Sequence, residues 1–198
     1  MPGSARSIVS AAQNLGAAIR IVLTHAHFDY VGALDALVSG LPAVEIAIGQ
    51  REARFLAGNL SLDPGETGKK LLGFRATKTQ PTRLLADGER IGSLKAVLLP
   101  GHTPGHMAYL DVRDGSLIAG DAFTTQWGLV AAGVFKPQFP FPAFFSWNAE
   151  VAAESARKLM DLKPILLAVG HGKTLASPVS AKRTAVEFAL KQRGKVLN

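Results

Sequence analysis

All five histidines of this chain fall in short segments rich in Gly, Thr or Pro: Thr24-His25-Ala26-His27-Phe28-Asp29, Gly101-His102-Thr103-Pro104-Gly105-His106 and Gly170-His171-Gly172. His25 and His27 stand two residues apart at the end of an apolar run. The two-residue period of a strand points both imidazoles the same way. Such a pair is a chelate lacking a third nitrogen, and His102 follows a second apolar run, 94–99, that can deliver it to the same edge. Three imidazoles with one open position make a catalytic zinc site, in which bound water acidifies to a pKa of about 7. Carboxylates stand at matching places: Asp29 two residues beyond His27, and Asp121 after Gly120 at the end of the run 117–119. His171 sits between two glycines directly after 166–169. Together these segments point to a metal site. Two local alternatives stay open, since Asp29 could cap a following helix and Asp121 could be a turn residue. His106 follows His102 by four and is expected to support a ligand or pack, rather than to bind the ion.

Those segments require strands that end together. Ser4 can start a helix carrying Ile8, Val9, Ala12 and Leu15 on one face, with Gly16 as its stop. A strand over 19–23, a helix over 31–38, a strand over 44–48 and a helix over 50–57 follow in alternation, which predicts an α/β layered domain. Residues 58–82 lack a clean period and read as a loop-rich insertion. Asp87-Gly88 and Asp114-Gly115 are hairpin signals flanked by strands over 94–99, 107–112 and 116–119. A helix starting near Asn148, a strand over 165–169 and a basic terminal helix over 179–193 complete the pattern. With 198 residues, no repeat and no linker, the chain is expected to form a single domain, 1–198.

The chain has no cysteine, which excludes disulfides, Cys-ligated zinc, iron–sulfur clusters and a thiol nucleophile. Its net charge of +7 favours anionic partners only diffusely. No run approaches 18 apolar residues, and the start lacks the apolar core of a signal peptide, so the expected location is cytoplasmic, with no membrane partner.

In order and spacing, the four segments resemble the motifs of the metallo-β-lactamase superfamily. The resemblance runs from about Arg20 to the C-terminus. It implies an αββα sandwich with the metal centre at one edge of its two sheets. It also implies that His25, His27 and His102 bind a first zinc, Asp29 and His171 a second, and that Asp121 bridges them. The activity implied is hydrolysis by a zinc-bound hydroxide, with Asp29 orienting the nucleophile.

This sequence departs from the family pattern twice. Members usually read His-x-His-x-Asp-His, but position 30 is Tyr. A phenol binds divalent zinc poorly unless ionised. Three arrangements follow: a weak or missing second ion, a Tyr30 phenolate suited to ferric iron, or Tyr30 as a hydrogen-bond donor to substrate. Family members also begin with several strands ahead of the first histidine motif. Here one helix and one strand precede it, so N-terminal strands are expected to be missing, leaving a sheet edge across which two copies could pair.

Residues 123–147 hold eight of the fourteen aromatics, starting directly after Asp121. Phe123 and Trp127 are the expected substrate contacts, forming an apolar wall suited to an acyl chain or lactone; core packing or dimer contact is the other reading. The basic residues lie on solvated faces, and no aromatic-and-basic stripe for nucleic acid appears. Hydroxyacylglutathione hydrolases share the histidine motifs but carry a further helical region for glutathione. The expectation is a metal-dependent hydrolase of a small ester, lactone, thioester or lactam, with β-lactams less favoured. The alternatives are a mononuclear iron persulfide dioxygenase on His25, His102 and Asp121, and a metal-binding relative with impaired catalysis.

Overall fold

The computed structural model describes residues 3–16, 18–41 and 43–195; Met1 and Pro2 of the atypical start lie outside them. Short aliphatic runs form β1 (Arg20–Leu23), β2 (Glu45–Gly49) and β3 (Arg83–Leu85), which pair in parallel in that order. The connections carry α2 (Phe28–Val31), α3 (Leu34–Gly40) and α4 (Gln50–Leu56), and α1 (Ala5–Leu15) packs on α3. A second sheet of six strands contains β4 (Arg90–Ile91), β5 (Leu94–Leu98), β6 (Met107–Asp111), β7 (Leu117–Ile118), β10 (Leu166–Ala168) and β11 (Leu175–Ala176). Its spatial order is β11-β10-β7-β6-β5-β4, with β10 parallel to β7 and the other neighbours antiparallel. A small hairpin, β8 (Phe123–Thr124) with β9 (Val130–Ala131), precedes α5 (Phe141–Phe145), α6 (Ala149–Lys158) and α7 (Val179–Lys191).

Three interiors make four layers. Leu23, Ile46, Ile48, Phe55 and Leu56 lie between the first sheet and its helices. Ala47, Leu85, Ala96, Met107 and Tyr109 fill the space between the sheets. Leu117, Phe123, Leu159, Leu167 and Val186 lie between the second sheet and α6 and α7. This is the αββα arrangement. The sheets are stitched where β1 ends: Met107 N donates to Thr24 O at 2.8 Å, and Tyr109 Oη to Leu23 O at 2.7 Å.

Several elements differ from expectation. The helix over 31–38 is two, α2 and α3, separated at Gly32-Ala33, where glycine weakens a helix. Asp114-Gly115 closes the β6–β7 hairpin, but Asp87-Gly88 precedes β4 and the β4–β5 turn falls at Gly92-Ser93. The aromatic segment contains α5, which starts behind Pro140 with Pro142 in its first turn. Residues 58–82 hold no helix or strand, yet they are anchored: Phe28 N donates to Gly73 O at 2.7 Å and Lys69 N to Trp147 O at 2.8 Å. Among the described residues, β1 pairs with β2 alone, and no helix is long and apolar enough to cross a membrane.

Candidate metal centre

The end of β1 turns through Thr24 into α2, which releases His25 and His27 from the strand edge while the β5–β6 loop brings His102 from the other sheet. All three imidazoles are buried. One ligating atom from each lies within 4.8 Å of the others, and His102 Nε2 is 3.0 Å from His27 Nδ1. A second group, Asp29, Asp121 and His171, meets the same limit beside it and is half-buried. Asp29 comes from α2, Asp121 from the turn after β7, and His171 from the loop after β10. The two groups meet at Asp121 Oδ2. This oxygen lies 3.3 Å from His102 Nε2, 3.4 Å from His171 Nε2 and 3.9 Å from His25 Nε2. Asp29 Oδ2 is 3.1 Å from His171 Nε2. All six ligand candidates taken from the sequence therefore converge.

The donor set fits metal ions. His25 Nε2 is buried without a hydrogen-bond partner and aimed into the cluster, which is costly unless a cation fills the gap. Burial, followed by the charge of neighbouring imidazoles, holds His25 and His102 well below the usual histidine range. Burial also lowers His27 to about 4, against the pull of Asp121. All three are neutral near pH 7, the form that ligates. The far nitrogens are held: His25 Nδ1 is 3.1 Å from Thr24 Oγ1, and His102 Nδ1 is 3.3 Å from Ser146 Oγ. The second group is richer in oxygen. Burial opposes ionisation of Asp29 and Asp121, but hydrogen bonding and charge, chiefly from His171, outweigh it and leave both below the ordinary value. Hydrogen bonds to Asp121 and then Asp29 raise His171 to about 10 in the metal-free chain.

Tyr30 joins this cluster as a donor. Its hydroxyl donates to Asp121 Oδ1 at 2.5 Å, which leaves Oδ2 facing both groups. Burial, reinforced by the charge of Asp121, pushes the phenol far above its ordinary value, so it stays protonated. A Cβ at Gly170 would overlap the Tyr30 hydroxyl, so glycine there gives the ring its room. His106 is buried and lies behind the cluster, where Asp121 N donates to its Nε2 at 3.1 Å.

One residue carries no motif signal and escapes the sequence reading. Glu52, on α4, is completely buried and accepts from Ala26 N and Gly105 N, both at 2.9 Å. Ala26 separates His25 from His27, and Gly105 lies between His102 and His106. One carboxylate thus ties both histidine loops together. Burial raises it to about 7 against those two N–H donors. The available signal was an acid sharing the apolar face of α4 with Phe55 and Leu56.

A cavity of about 250 Å3 opens on the second group. Phe123 forms part of its inner wall and is fully buried. Trp127, expected as a second substrate contact, is not on its lining: the residue is 68% exposed on the β8–β9 turn, with a φ of 61°. A turn tip at positive φ carries the ring outward, whereas Phe28, Phe139, Phe141 and Phe145 line the cavity instead.

Residues 9–171 match the family model described as the metallo-beta-lactamase superfamily. YobT of Bacillus subtilis is 46% identical over 194 residues, covering 96% of this chain and 83% of that protein. A probable metallo-hydrolase of the same organism, YflN, is 31% identical over 192 residues, covering 87% and 72%. Among solved structures, TTHA1623 in a di-iron-bound form superposes with a TM-score of 0.63 at 26% identity, covering 89% of this chain and 81% of that one.

Proposed function

This chain belongs to the metallo-β-lactamase superfamily, and from that premise we propose that it is a metal-dependent hydrolase of a small ester, lactone, thioester or lactam. The observation that supports this most directly is Asp121 Oδ2, which faces three imidazoles of two adjoining groups at 3.3–3.9 Å beside an aromatic cavity. His25, His27 and His102 would hold one ion, Asp29 and His171 a second, and Asp121 would serve both. Zinc at such positions supplies Lewis acidity toward a carbonyl and acidifies water.

Hydrolysis transfers the water oxygen to the acyl carbon, breaks the acyl–heteroatom bond and moves a proton to the leaving atom. The ionised Asp29 carboxylate, on the cavity wall, accepts a hydrogen bond from that water and can carry its proton across. Tyr30 holds Asp121 Oδ1 and so keeps Oδ2 turned inward. His106 fixes the Asp121 backbone from behind. The aromatic wall excludes bulk water, which strengthens each of these polar contacts.

A second reading places one iron on His25, His102 and Asp121 and makes the chain a persulfide dioxygenase. The approach of Asp121 Oδ2 to both imidazoles supports it, and the similar TTHA1623 structure, which is di-iron-bound, supports iron as the metal rather than the single-ion count. Elemental analysis of the purified protein, paired with ester hydrolysis and oxygen uptake on a persulfide, separates the readings. Zinc with ester turnover supports the hydrolase, and one iron with oxygen uptake supports the dioxygenase. A chain that takes up no metal from excess zinc or iron refutes both.

A further inference from the structure

The cavity beside the metal centre is walled by aromatic rings. Phe139 and Phe141 have centroids 5.4 Å apart, and Phe141 and Phe145 are 6.4 Å apart. This arc meets the candidate ligands at both ends, with Phe139 at 6.2 Å from the His171 ring and Phe145 at 6.2 Å from the His27 ring. The titratable groups on the lining are His27, Asp29, His102, Asp121 and His171, all of them ligand candidates. Although the chain has 22 lysines and arginines, none lines the cavity among the described residues. Two lysines of the adjoining segments are engaged with backbone oxygens: Lys69 Nζ donates to Ala143 O at 3.1 Å, and Lys136 Nζ donates to Trp127 O. At the mouth, Phe141 is 54% and Phe28 43% exposed, apolar surface that a bound chain would cover.

We infer that the substrate is an uncharged acyl ester or lactone whose apolar chain lies along the Phe139–Phe141–Phe145 arc. The inference rests on the hydrolase reading and narrows it. An aliphatic chain gains by leaving water for this wall, whereas a carboxylate along the aromatic arc loses hydration with no Lys or Arg there to replace it. Anionic compounds of the same reaction class, such as β-lactams and glutathione thioesters, are therefore poor substrates. In the favoured reaction, water contributes its hydroxyl to the acyl carbon, the acyl C–O bond breaks, and the remaining proton ends on the leaving oxygen.

The test uses the full chain loaded with zinc and p-nitrophenyl acetate, butyrate and hexanoate, alongside nitrocefin and S-lactoylglutathione. At about threefold per methylene, kcat/KM should rise roughly 80-fold from acetate to hexanoate. The two anionic compounds should stay far below hexanoate. Phe141→Ala should lower the hexanoate-to-acetate ratio about tenfold, while Trp127→Ala leaves that ratio in place. A flat chain-length series, or a preference for either anionic compound, overturns the inference. If no ester is turned over, calorimetric binding of hexanamide, acetamide and adipamate (the six-carbon amide with a terminal carboxylate) decides separately. Hexanamide binding well above both others, and weakened by Phe141→Ala, retains the apolar specificity while the hydrolase reading falls. Equal or undetectable binding of all three removes the specificity as well.

Discussion

The two halves of the metal centre are held by opposite physics. His25, His27 and His102 are buried, neutral and positioned by the fold around them: strand ends, Thr24, Ser146 and the Glu52 clasp. Asp29, Asp121 and His171 are half-buried, charged and held largely by one another, with Tyr30 as the added donor. The first group is shaped before an ion arrives. The second is a charge-coupled set whose internal ion pairs an incoming ion must replace. If both positions are filled as proposed, the first would bind more tightly and select nitrogen-loving metals, while the second, richer in oxygen, would bind less tightly.

Acid should distinguish the halves most strongly. Burial lowers His25, His27, His102 and His106, the last to about 3, from the ordinary 6.5. The unfolded chain therefore takes up protons that the folded chain refuses, and stability falls as pH drops below about 6.5. Glu52, raised to about 7, retains a proton in the fold and offsets one of the four. The net difference of about three protons makes the slope on the order of 4 kcal/mol per pH unit. His171 has the opposite sign: raised to about 10, its contribution is complete below 6.5 and is lost as pH rises toward 10. Chelated protein melted across pH 5 to 10 should show greatest stability near neutrality, and a flat profile would falsify the neutral-imidazole description.

Removing a nitrogen from the buried group comes next. His102→Ala should leave the first position unable to retain its ion through dialysis and lower hydrolysis more than about 100-fold, since even indirect supports of a ligand carry 10- to 100-fold effects. Retained metal and turnover would show that the three imidazoles are not the anchoring set. Glu52→Gln keeps the volume but turns an amide donor toward one of two N–H groups. A loss of about 2 kcal/mol in stability is expected, along with roughly tenfold weaker zinc binding. If chelator competition finds zinc affinity unchanged while stability drops, Glu52 supports only the fold.

Smaller effects sharpen the other half. Tyr30→His exchanges a neutral donor for a nitrogen ligand and should tighten the second ion about tenfold; titration followed by metal counting reads this directly. Trp127→Ala, at an exposed turn outside the cavity, should change kcat/KM less than about twofold.

The ligand candidates were legible because their geometry is local. A His-x-His pair just past a strand, a glycine-flanked histidine and an aspartate after an aliphatic run each stand a few residues beyond a strand end, so the short-range pattern alone places them at one edge of the sheets. The alternation of short aliphatic runs and helical faces likewise announced the layered α/β arrangement, and Asn148 marked the start of α6, where its side chain accepts from Glu150 N and Val151 N. The sequence could not show how distant segments share one point in space. Asp121 Oδ2 faces both groups because β7 and β10 lie side by side and Met107 ties the second sheet to the end of β1. Tyr30 reads as a lost ligand until Gly170, 140 positions away, is seen to leave room for its hydroxyl against Asp121. Glu52 looks like an ordinary helix acid until two loops close over it. Phe141 and Trp127 are equivalent aromatics in composition, and only the turn at β8–β9 and the helix α5 send one away from the cavity and the other to its wall. Residue types and short-range periods determined the chemistry available here. Which of those groups touch was decided by strand pairing and sheet packing, because contact between segments depends on closures that no local period encodes.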